Sequence, residues 1–223
     1  MLQQTQVERV IPFYNRFIKK YPTARALVRA KLRDVLKMWN GLGYNRRAKY
    51  LHEAAKIIAR EGFAGQKLPG VGPYTRGAVL AFAFNKPEVF IETNIRTVFF
   101  YHLKTRRKLT DKQLLPLVGR ALKESDMEPR EFYAALMDYG AHLKRQGITL
   151  NKKSKHYTKQ SKFEGSARQL RGAILRELLV HQATLSMLLH RIPRNQQEVA
   201  HELTRLAAEG LIKLHGRFFA VAD

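Results

Sequence analysis

The sequence contains no cysteine. Disulfides, thiolate metal sites and a cysteine-held iron–sulfur cluster are therefore excluded, and no cofactor or metal is expected. Long apolar runs are also missing. No stretch approaches the ~20 residues that a membrane span needs, and no secretory signal pattern opens the chain, so no membrane partner is expected. Acidic residues are scarce: 18 Asp and Glu stand against 41 Lys and Arg, a net charge of +23, with an isoelectric point near 10.5. A field of that sign attracts polyanions and releases their counterions on binding, which makes nucleic acid the first partner to expect. Alternating strand patterns are nearly absent before the last residues, and no tandem repeat is visible.

What is present reads mostly as helix. Val7, Val10, Ile11, Phe13, Tyr14, Phe17 and Ile18 recur at helical spacing and predict a broad apolar face. Pro22-Thr23 breaks that helix, short helices follow at Ala24–Ala30 and Leu32–Trp39, and "NGLGY" is a turn. "RRAKYLHEAAKIIAREG" predicts an amphipathic helix ending at Gly62. Further helices are expected from Pro73, from Asn94, over Asp111–Lys123 and over Pro129–Lys144. Residues 144–163 carry seven Lys and Arg and no acid, and read as a basic linker or arm: either a solvated charge run or, with Tyr157 and Phe163 among the lysines, a segment suited to phosphate contact with some stacking. Beyond residue 166, three helical patterns and two short strands around His215-Gly216 outline a winged helix, with Asn195 as N-cap and Gly210 at the C-cap of its third helix.

One stretch raises a chemical question: "KLPGVGPYTRGAVLAFAF", Lys67–Phe84. Gly70 and Gly72 flank Val71 immediately before a helix that begins with Pro73, a residue suited to the first helical position. Glycine permits close backbone approach, and the helix start offers free amides and a positive dipole end. Together these make a cradle for one phosphate that reads no sequence. Taken alone, the pattern is also that of an ordinary turn between packed helices.

The surroundings resemble a known family. "LPGVGPYTRGAVLAFAF" is similar to the helix-hairpin-helix element of base-excision DNA glycosylases. "MLQQTQVERVIPFY", "WNGLGYNRRAKYLHEAA" and "FYAALMDYGA" are similar, in the same order, to adenine DNA glycosylases of the MutY kind. The resemblance spans residues 1 to about 143. It implies a mainly α, two-lobed helix-hairpin-helix glycosylase fold over 1–143, followed by a basic linker (144–165) and a small winged-helix-like domain (166–223).

Excising a base breaks an N-glycosidic bond through an oxocarbenium-like sugar, after the base has been flipped from the stack. The family's aspartate beneath the sugar lies in a D-G-N-V pattern, and this chain reads "IETNIRTV" there, so the resemblance puts Glu92 and Asn94 in the catalytic set. On spacing alone Glu92 reads as an acid at a helix N-terminus. Tyr74 matches the position where bifunctional relatives carry a lysine. Tyrosine cannot form a Schiff base, which implies a monofunctional enzyme that uses water and leaves an abasic site. By resemblance Gln4 wedges into the duplex, Tyr44 intercalates on the opposite-strand side, Arg46 and Arg47 (with Lys49) meet phosphate, and Gly70, Val71, Gly72 and Thr75 hold the DNA backbone. The family's general acid precedes "MLQQTQ" by two residues. The chain as read begins at that methionine, either through an internal start or through loss of the acid, and slow excision is expected of it. Glu8 lies almost two helical turns further on and is not assigned the role.

The resemblance thus implies a base-excision repair hydrolase acting on adenine opposite guanine or 8-oxoguanine in duplex DNA, a monomer, in a prokaryotic cytoplasm close to the nucleoid. Removal of thymine or uracil from mismatches with guanine, and silent lesion binding, are the alternatives. The family's four-cysteine cluster after "MDYGAHL" and its oxidised-guanine domain are replaced here by the basic segment and the winged-helix-like end.

Overall fold

Apolar spacing at 3.6 residues decides most of the architecture. The computed structural model describes residues 1–63, 65–104, 107–155, 157–158 and 162–223. In chain order the helices are α1 (Val7–Lys20), α2 (Ala24–Val28), α3 (Leu32–Trp39), α4 (Arg46–Glu61), α5 (Pro73–Phe84), α6 (Thr93–Leu103), α7 (Asp111–Glu124), α8 (Pro129–Arg145), α9 (Ala167–Val180), α10 (Leu185–Arg191) and α11 (Gln196–Ala208). The antiparallel hairpin of β1 (Ile212–His215) and β2 (Phe218–Val221) follows, pairing Ile212 with Val221 and His215 with Phe218. Among the described residues no helix is long and apolar enough to cross a membrane.

The chain forms two compact units, Met1–Gly70 with Ser161–Asp223, and Val71–Gln160. In the first, the terminal helices do not stand apart as the sequence suggested. Leu170, Ile174, Leu178, Leu188, Leu203 and Leu206 share one core with Phe17, Leu32, Val35, Leu36 and Trp39. Polar ties reinforce this. Arg33 donates to the carbonyls of Leu179 (3.0 Å) and Val180 (3.2 Å) at the C-terminal end of α9, and Lys49 donates to the Glu209 carbonyl (2.6 Å) just past α11. Arg171 bonds both Glu202, 2% exposed, and Glu209. Asn195 caps α11 by accepting from the Glu198 N–H (2.8 Å), as its sequence position predicts.

Helix α1 departs from its expected face. Of that face it buries only Val10 and Phe17. Val7, Ile11, Tyr14 and Ile18 remain exposed.

In the second unit, Ala81, Phe90, Ile91, Ile95, Phe100, Leu114, Val118, Phe132 and Tyr133 form the core. Arg96 makes a two-pronged ion pair with Asp111 (2.7 and 2.6 Å), fixing α6 to the start of α7. A capping box of Thr110 and Gln113 begins α7. Part of the expected linker is ordered. Asn151–Lys153 form a 3-10 turn, and Leu109 exchanges backbone bonds with Lys153 and Lys155 (3.2 and 3.1 Å). The linker's Gln160 and Ser161 lie outside the described residues.

Candidate active site

The second unit gathers the chemical groups. The loop before α6 is anchored by buried Phe90 and Ile91. Phe90 stacks on Tyr133 with ring centroids 3.9 Å apart. The Tyr133 hydroxyl donates to the Glu88 carbonyl (2.8 Å) and accepts from the Phe90 N–H (3.3 Å). These contacts leave Glu92 at the N-cap of α6. Its Oε1 accepts from the N–H groups of Asn94 (2.5 Å) and Ile95 (2.9 Å). The capping role read from spacing alone is therefore realised: the carboxylate sits where the helix's unpaired amides and positive dipole end hold a negative charge.

Tyr74, in the first turn of α5, leans on Phe90 with centroids 5.9 Å apart. Burial raises its hydroxyl above the ordinary tyrosine value, and the Glu92 charge adds to this. The phenol thus stays protonated, a donor near a carboxylate.

Sequence reasoning missed Lys144. Its ammonium, in the last turn of α8, donates to Asn94 Oδ1 at 2.5 Å. Burial lowers its pKa, and Glu92 pulls it back upward. One turn earlier Gly140 brings α8 against the α6 backbone, where a Cβ would fall 2.7 Å from Asn94 Cα. A lysine in a last helical turn ordinarily complements the dipole, so nothing in the sequence singled it out. The resemblance places a four-cysteine cluster from this position onward. With a lysine bonded to Asn94 and no cysteine in the chain, the donor set does not fit a cluster.

The hairpin glycines differ. Gly70 has φ +69 and packs against Tyr50, so both the conformation and the space demand glycine. Gly72 is extended (φ −81, ψ 176), the N-cap of α5, with no chain atom near its missing Cβ. Of the two, only Gly70 holds a positive φ. Val71 is half-buried, as is Thr75 in the first turn of α5.

The wedge candidates lie in the first unit. Gln4 (φ 60) and Tyr44 (φ 49) both hold left-handed backbones, a conformation that costs a non-glycine residue of order 1–3 kcal/mol. Arg47 joins their segments. It donates to the carbonyls of Met1 (3.0 Å), Gln3 and Gly43 (3.3 Å), and to Thr5 Oγ1 (3.3 Å). Of the basic trio, Arg47 and Lys49 thus serve internal bonds, whereas Arg46 is exposed and makes a loose ion pair with Glu209 at 3.7 Å. Arg168 of α9 donates to the Tyr44 hydroxyl (3.1 Å), a contact across 124 residues that no local signal announces.

Comparison with known proteins fits these motifs. The profile of the HhH-GPD superfamily base excision DNA repair proteins matches residues 1–123. The chain is 39% identical over 151 residues to the adenine DNA glycosylase of Mycolicibacterium smegmatis, covering 63% of this chain and 51% of that one. It is 36% identical over 152 residues to the adenine DNA glycosylase of Buchnera aphidicola subsp. Baizongia pistaciae, covering 63% and 42%. The chain thus spans about half the length of these relatives, or less. Among solved structures, a thermostable thymine-DNA glycosylase aligns with a TM-score of 0.52 at 25% identity, covering 63% of this chain and 69% of that one. With the hairpin, the Glu92–Asn94 pair and this profile match together, the chain belongs to the HhH-GPD superfamily of base excision DNA repair proteins.

Proposed function

We propose that the chain carries the DNA-binding and base-excising part of a monofunctional adenine glycosylase, acting on adenine opposite guanine or 8-oxoguanine. The observation that carries the reading is Glu92: a carboxylate held at the α6 N-terminus, with Asn94 and Lys144 bonded beside it and Tyr74 within its field. In this role Glu92 stabilises the sugar cation that forms as the base leaves. Tyr74, at the position where bifunctional relatives carry a lysine, supplies a hydrogen-bond donor and no amine, and the Lys144 ammonium is engaged by Asn94, so water is the nucleophile and the product is an abasic site. Gly72, open to solvent at the start of α5, receives a DNA phosphate. Gln4 and Tyr44 hold open the step that the base leaves. No thiolate-bound cluster takes part, since the chain has no cysteine.

Single-turnover excision on adenine opposite 8-oxoguanine, developed with and without alkali, tests this. Glu92→Gln keeps an oxygen for the cap but removes the charge, and should lower excision at least a hundredfold with the helical circular dichroism unchanged. Full activity in Glu92→Gln, or strand breaks without alkali, would sink the assignment. The likeness to a thymine-DNA glycosylase favours a second reading, removal of thymine opposite guanine. The same assay with that mismatch separates the two.

A further inference from the structure

Asn94 is gripped from three sides. Its backbone N–H is bonded to Glu92, its backbone carbonyl edge abuts Gly140, and its side-chain oxygen accepts from Lys144. Gly140 and Lys144 are four residues apart, on one face of α8. An amide side chain has two ends of similar size, an acceptor and a donor, and its neighbours decide which way it points. A lysine ammonium can only donate. Contact with Lys144 therefore fixes Oδ1 as the end turned toward α8 and leaves Nδ2 as the end that Asn94 has to offer.

We propose that Lys144 is a positioning residue of this site: by occupying Asn94 Oδ1 it makes Asn94 a hydrogen-bond donor toward a bound abasic sugar or the water attacking it. The proposal rests on the base-excision reading of Glu92 and Asn94. Presented the other way round, Asn94 would offer only an acceptor, which cannot bond to the ring oxygen of the sugar. Lys144 also brings a positive charge within the field of Glu92, so the loss of its charge and the loss of its hydrogen bond have to be separated.

Two measurements on the full chain do so. In nitrogen-15 spectra the Asn94 side-chain amide pair, assigned by its disappearance in Asn94→Asp, should move in Lys144→Met and return toward its original position in Lys144→Arg. Affinity is then measured for a duplex holding an uncharged tetrahydrofuran abasic analogue, and for the same duplex undamaged. Lys144→Met and Asn94→Ala should each weaken binding to the analogue about tenfold, one hydrogen bond's worth. The double variant should be no weaker than either single one, and Lys144→Arg should lie within about twofold of the original. Additive losses, an unmoved amide pair, or an equal loss on undamaged duplex, which would mark Lys144 as a phosphate contact, each overturn the proposal. A parent protein that fails to prefer the abasic analogue would instead count against the base-excision reading, and the amide signals would still decide the Lys144–Asn94 bond.

Discussion

Gly140 lies so close to Asn94 that a methyl group on it would come within 2.7 Å of the Asn94 Cα. Both partners at this point are backbone, so neither can turn away. Gly140→Ala should separate α8 from the start of α6 and cost about 1–3 kcal/mol by overpacking. Chemical denaturation checks this, and a loss under about 0.5 kcal/mol would show that the two helices slide apart freely.

The two hairpin glycines should respond differently to alanine. Gly70→Ala forces a left-handed alanine and a clash 2.6 Å from the Tyr50 ring, and should destabilise the protein by more than 1 kcal/mol. Gly72→Ala meets no atom of the chain and should leave stability within about 0.5 kcal/mol. If a DNA phosphate seats there, the same change should weaken duplex binding severalfold. Unchanged binding in a stable Gly72→Ala would reduce the hairpin to a turn.

Neighbouring arginines should likewise part ways. Arg47→Ala removes four hydrogen bonds and should cost about 2–4 kcal/mol, with little change in the salt dependence of DNA binding. Arg46→Ala should barely alter stability, since Arg46 is exposed and its 3.7 Å ion pair is loose. It should reduce the slope of log affinity against log salt by about 1 if Arg46 meets phosphate. Equal slopes for both variants and the parent would remove Arg46 from the interface.

His52, 7% exposed, is pushed below its ordinary pKa of 6.5 by burial, with Lys56 adding to the shift. The folded chain thus holds His52 neutral, while the unfolded chain takes up a proton near pH 6.5. Between the two values the unfolded state binds more protons, so stability falls as pH drops below about 6.5. Urea midpoints at pH 5.5 and 7.5 measure the effect. His52→Gln should narrow the difference between them, and an identical difference would show that His52 does not titrate on unfolding.

Helix positions were largely legible, because their signals are local. Leu32–Trp39 and the start of α5 at Pro73 fall where spacing and proline put them, and Asn195 caps as its residue type predicts. Family motifs singled out Glu92 and Asn94, which the structure joins by a hydrogen bond at the start of α6. What the sequence did not reveal depends on contacts distant along the chain. Lys144 meets Asn94 across 50 residues, and Arg168 meets Tyr44 across 124. Arg47 looked like a phosphate contact because a basic residue beside a turn carries no mark of the carbonyls that it satisfies. The terminal helices looked independent because their apolar faces do not state what they cover, and part of that cover is α3.

Removing residues 164–223 should therefore strip the first unit of more than half of its buried core residues. The shortened chain should lose cooperative unfolding of α1–α4 and gain binding of a hydrophobic dye. A truncated protein that melts like the parent would show that α1–α4 are self-sufficient.

The same arrangement has a consequence for synthesis. Val71–Gln160 is one continuous stretch and can condense as soon as it leaves the ribosome. The helices made before it have to wait. Until residues 164–223 emerge, which takes several seconds at ordinary elongation rates of roughly 5–20 residues per second, Leu32, Leu36 and Trp39 lack part of the core that covers them in the finished protein. Helices α1–α4, made before the second unit, thus close after it, and over that interval a nascent-chain chaperone would find them open.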